Sequence, residues 1–148
     1  MAGKAGLKAG LIGTAVLLVT TLLNQVLPIS GALVYVLCGV NVLIYAGIGV
    51  LAGLFLAPPR TTGAGAGTGA VAGLISGAIS GVVSLVITAV RLSRGMGIPG
   101  LDPQQMQQLT ASGMDPSVFL IPGALCAMAI GSGMAAIGGA ILAAVKQD

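Results

Sequence analysis

Glycine occupies every fourth position of the third apolar stretch of this chain: Gly65, Gly69, Gly73, Gly77 and Gly81. A second row of small residues runs beside it, Thr68, Ala72, Ser76, Ser80 and Ser84, and the last apolar stretch repeats the device with Gly123, Ala127, Gly131, Ala135 and Gly139. Residues four apart stack on one face of a helix. A face without side chains lets a second helix backbone come close, which matters most in lipid. There apolar burial gives helices no drive to associate, and van der Waals contact between small-residue surfaces takes its place. The pattern predicts an all-α integral membrane protein, a four-helix bundle packed through glycine and small-residue ridges.

Composition points the same way. Of the 148 residues 56% are hydrophobic and 6% charged, against about 25% charged in a soluble domain. A membrane-spanning helix needs roughly 20 apolar residues. The runs at 7–27, 31–56, 64–90 and 118–145 meet that length and hold no Lys, Arg, Asp or Glu in their interiors. They form a single membrane domain over 1–148. The short break at Pro28-Ile29-Ser30 makes the first two runs an antiparallel hairpin. The polar loop 91–117 carries Asp102-Pro103, a helix-start signal with Asp as N-cap and Pro in the first turn. It predicts a short interfacial helix near 103–112, ended by Gly113, with Met106 and Leu109 on its apolar face. Pro122, close to the start of the fourth run, predicts a kink or a restarted first turn.

The second and fourth runs share spacing, with Gly39 and Gly47 in register with Gly131 and Gly139. This suggests a duplicated two-helix hairpin. On an ideal helix Val71 lies about 160° from Gly73, away from the contact expected there.

Lysine and arginine set the orientation. Lys4, Lys8, Arg60 and Lys146 fall on one side of the alternating spans and Arg91 and Arg94 on the other. The expectation is an integral protein of a prokaryotic plasma membrane, with both termini cytoplasmic and the loop at 91–117 outside. Lys4, Lys8, the first run and Ser30-Gly31-Ala32 also fit a cleaved signal peptide; the preferred reading retains the segment as the first span.

Several chemistries are disfavoured. The chain has no histidine and no glutamate, and its acids are Asp102, Asp115 and Asp148, all outside the apolar runs. Proton-coupled transport and histidine-based catalysis lack their usual groups. Gly63-Ala64-Gly65-Ala66-Gly67 lacks the Lys-Ser/Thr ending of a phosphate loop. Two lone cysteines, Cys38 and Cys126, make no metal site and are expected as free buried thiols. No cofactor, metal site or nucleic-acid partner is expected, and no enzymatic activity. The glycine-rich run from Gly63 to Gly81 and the hairpin plan resemble the rotary-ATPase proteolipids. That family carries an ion-binding carboxylate in mid-helix, and neither the second nor the fourth run has one, so the chain is not assigned to it.

Two functional readings remain. The leading one is a structural or accessory subunit, or a self-assembling helix-packing module, whose partners are the lipid bilayer and other membrane subunits or copies of itself. The alternative is a small oligomeric channel or holin-like permeation protein for small neutral solutes or weakly selected ions. Its candidate polar lining is Asn41, Thr68, Ser76, Ser80 and Ser84.

Overall fold

The computed structural model describes residues 2–26, 32–96, 103–113 and 120–146. It is helical throughout its regular structure: α1 (Ala2–Val26), α2 (Ala32–Leu54), α3 (Thr62–Ser93), α4 (Pro103–Ala111) and α5 (Leu120–Val145). Four of these contain segments long and apolar enough to cross a membrane, Gly3–Asn24, Tyr35–Leu54, Thr62–Ser93 and Ala124–Val145.

Local chemistry sets the helix ends. Thr61 caps α3, its side-chain oxygen accepting the Ala64 N–H at 3.2 Å. This satisfies one of the donors left open at a helix start. Just before it, Arg60 turns back and its Nε donates to the Leu56 carbonyl at 2.9 Å. Gly95 and Gly113 follow α3 and α4 with φ of 71° and 73°, the left-handed conformation in which glycine avoids a Cβ clash. Gly113 therefore ends the short helix as its sequence predicts. Asp102 and Asp115 lie outside the described residues, as do the side chains of Met106 and Leu109. Because α5 begins at Leu120, Pro122 falls in its first turn. An N–H there has no partner within the helix, so proline is accommodated.

The middle of the bundle is the α2–α3 pair, with α1 and α5 on either side of it, each packed on both. The chain alternates in direction, so α1 runs parallel to α3 and α2 parallel to α5. Size is distributed opposite to a water-soluble core. Buried side chains include Ala9, Ala52, Ala72, Ala135 and Ala143, and the largest that are fully buried are Thr68 and Ser76. Large apolar side chains point outward, among them Tyr35 (81% exposed), Leu43 (72%) and Val82 (60%). Leu17 and Ile48 are the main bulky residues inside.

The glycines of α2 and α5 that share sequence register meet different surroundings. Gly39 and Gly47 face open space, whereas Gly131 abuts the Tyr45 ring and Gly139 abuts the carbonyl oxygen of Gly65. Matching sequence positions therefore face different neighbours. The middle pair and the flanking helices cannot present the same surfaces.

Candidate functional site

The four long helices are close at one end and apart at the other. At the close end a methyl group on Gly65 would overlap the Gly139 carbonyl oxygen and the Ala143 methyl. One on Gly69 would overlap the Ala135 carbonyl oxygen. At Gly73 it would lie 2.8 Å from both the Ala135 Cβ and the Ser132 Cα. These are backbone contacts, so a side chain could be placed there only by moving a helix. The α2–α5 seam is equally close: a methyl on Gly49 would strike the Ala135 carbonyl, and one on Gly138 the Ala46 carbonyl. Between α1 and α3, Gly6 faces the Thr68 carbonyl oxygen and the Val71 side chain, and Gly10 faces Ala72 and Ile75.

Further along α3 the spacing widens. A methyl on Gly77 would sit 3.4 Å from the Tyr45 Oη and 3.6 Å from the Met128 Cγ; on Gly81 the nearest atom would be the Met128 Sδ at 3.9 Å. There the helices part around a cleft of about 720 Å³. It is walled by Leu17, Thr21 and Asn24 of α1 and by Cys38, Asn41, Val42 and Tyr45 of α2. Gly77, Ser80, Gly81, Ser84, Leu85 and Thr88 of α3 form a third side, and the α5 segment between Ala124 and Met134 supplies the fourth.

The sequence-derived packing residues thus divide. Gly65, Gly69, Gly73, Ala135 and Gly139 lie in close backbone contact, while Gly77, Gly81, Ala127 and Gly131 border the cleft. The surroundings of Gly123 fall outside what is described. The polar candidates divide as well. Asn41, Ser80 and Ser84 border the cleft, whereas Thr68 and Ser76 are 1% and 0% exposed, inside the packed half. Thr68 donates to the Ala64 carbonyl at 2.8 Å and Ser76 to that of Ala72 at 2.9 Å. Each hydroxyl is turned onto its own helix four residues back. Cys38 and Cys126 are free thiols, but exposed ones that face the cleft rather than buried ones.

Some contributors carry no signal in a row of fours. Gly49 and Gly138 hold the α2–α5 seam, and each is followed four residues later by Gly53 and Leu142, so only the Gly49–Gly53 pair marks it. Tyr45 borders the cleft with Ser80, and its ring abuts Gly131; a single tyrosine in an apolar run gives no pattern to read.

No protein-family model, curated protein or solved structure matches this chain.

Proposed function

We propose that this is a non-enzymatic integral membrane protein that acts as a structural or accessory subunit, or as a self-assembling helix-packing module. The supporting observation is the packed half of the bundle. At the level of Gly65, Gly69 and Gly73 helix backbones meet with no side chain larger than an alanine methyl between them, and the hydroxyls of Thr68 and Ser76 are buried against their own carbonyls. A path for water or ions along one chain would have to pass that level. The outward-facing large apolar residues suit lipid or other membrane helices. In this reading the protein sits in a prokaryotic plasma membrane with both termini cytoplasmic, and the packed half faces the cytoplasm.

Reconstitution separates this reading from permeation. Purified protein in liposomes is expected to give no flux of protons, potassium or glycerol above that of empty vesicles. Its native mass after gentle detergent extraction is expected to include companion membrane proteins or further copies of the chain. Reproducible flux from a homogeneous ring, blocked by Ser80→Phe, would replace the structural reading with the channel.

A further inference from the structure

The cleft departs from the packing of the rest of the molecule. In the packed half Gly65, Gly69, Gly73 and Gly139 bring helices together; at Gly77, Gly81 and Ala127 small residues leave space. Its volume of about 720 Å³ falls within the range of roughly 300–1,000 Å³ seen for small-molecule sites.

Two features define what fits. First, among the described residues none that borders the cleft is charged. An ionised group brought into it would lose its hydration and meet no counter-charge, so the occupant is neutral. Second, the wall is mainly apolar but holds two amides, Asn24 and Asn41, which have no hydrogen-bond partner among the described residues. Each amide offers two donors and an acceptor. The hydroxyls of Thr21, Ser80 and Thr88 already donate to carbonyls of their own helix and so offer only lone pairs. The vacant hydrogen-bonding capacity is thus chiefly that of the two amides, together with the Ser84 hydroxyl; it matches a hydroxyl or carbonyl group and is wasted on pure hydrocarbon.

We propose that the cleft is a binding site for one uncharged amphiphile, an aliphatic chain with a hydroxyl or carbonyl head that is received by Asn41 and Asn24. Met128 and Met134 form part of its wall, and their unbranched side chains adapt to a flexible tail. This goes beyond the structural role above and does not depend on it.

The test is native mass spectrometry of the full chain in detergent, with 1-oleoylglycerol as the neutral probe and oleate as its anionic counterpart. One oleoylglycerol per chain is expected, saturably, with oleate at least tenfold weaker. Ala127→Trp places an indole in the cleft from α5 and should weaken binding at least tenfold. Asn41→Leu should weaken it about tenfold. Val82→Trp, on an outward position, should leave it unchanged. Thermal unfolding reports whether each variant is folded; if Ala127→Trp is not, Gly81→Leu fills the same space from α3 and carries the same expectation. Equal binding by the filled and wild-type clefts would overturn the proposal, and so would oleate binding as tightly as oleoylglycerol. Oxidative cross-linking of Cys126 between two copies, abolished by Ala127→Trp, would overturn it in favour of a second chain.

Discussion

At Gly69 a methyl group has no room; at Gly81, three turns on along the same row, it has ample room. A substitution pair reads that gradient directly. Gly69→Ala forces α3 away from the Ala135 carbonyl and should lower the thermal unfolding temperature in detergent by several degrees. Gly81→Ala meets only the Met128 sulfur at 3.9 Å and gains up to about 1 kcal/mol of helix propensity. It should leave the unfolding temperature unchanged or raise it. Equal losses at both sites would contradict the widening described here. In the sequence the two glycines are indistinguishable, because a period of four records only that a face is small. A row of fours drifts around a helix of 3.6 residues per turn, and the partner follows it for only part of its length. Val71 illustrates the same limit. Its angle from Gly73 takes it away from α5, yet it packs beside Gly6 of α1, since α3 has neighbours on more than one side. Cys38 and Cys126 look like buried thiols in apolar runs, and they are exposed because the helices part there.

Among the helices, hydropathy and the breakers Pro58, Pro59 and Gly113 make most boundaries legible. The α3 helix extends to Thr62–Ser93, beyond the apolar run at 64–90, because Thr61 caps one end and the backbone continues through Arg91 at the other. The pairing of helices is less legible. The α2–α5 contact rests on Gly49, Gly53 and Gly138, too few glycines to make a row. The α3–α5 contact can be tested by Gly73→Leu, which inserts a branched side chain between Ser132 and Ala135. This change should abolish assembly or lower the unfolding temperature by more than ten degrees, while Val82→Leu, facing outward, should change it little. Similar small effects from both would remove the contact from the account. Orientation is tested by impermeant thiol labelling from outside intact cells, in a background lacking Cys38 and Cys126. A cysteine at Gln107 should be labelled and one at Thr62 should not. The reverse pattern would invert the topology.

For the whole molecule, small residues inside and large apolar residues outside make one prediction. The protein should remain with the membrane fraction after an alkaline carbonate wash and enter the detergent phase on cloud-point separation. Release into the aqueous supernatant would refute the spanning arrangement. This much was written in the composition and in the four long apolar runs. The cleft was not, because it depends on where four separate helices stop touching. Its polar residues come from α1, α2 and α3, and Asn41, Ser80 and Ser84 were marked in advance only by being polar in an apolar setting. Thr68 and Ser76 bore the same mark and lie in the packed half. The difference between them is one of depth along the bundle, a quantity that spacing along a single helix does not encode.

That difference in depth also makes the bundle unequally stiff. Near Gly69 and Gly139 backbone rests on backbone, and nothing there can yield short of separating the helices. Around the cleft, Met128 and Met134 can change rotamer, and Gly77 and Gly81 lack the close backbone contacts of the packed half. Lateral compression by a bilayer would then do its work in one leaflet only: on that side the protein behaves as a spring, on the other as a rivet.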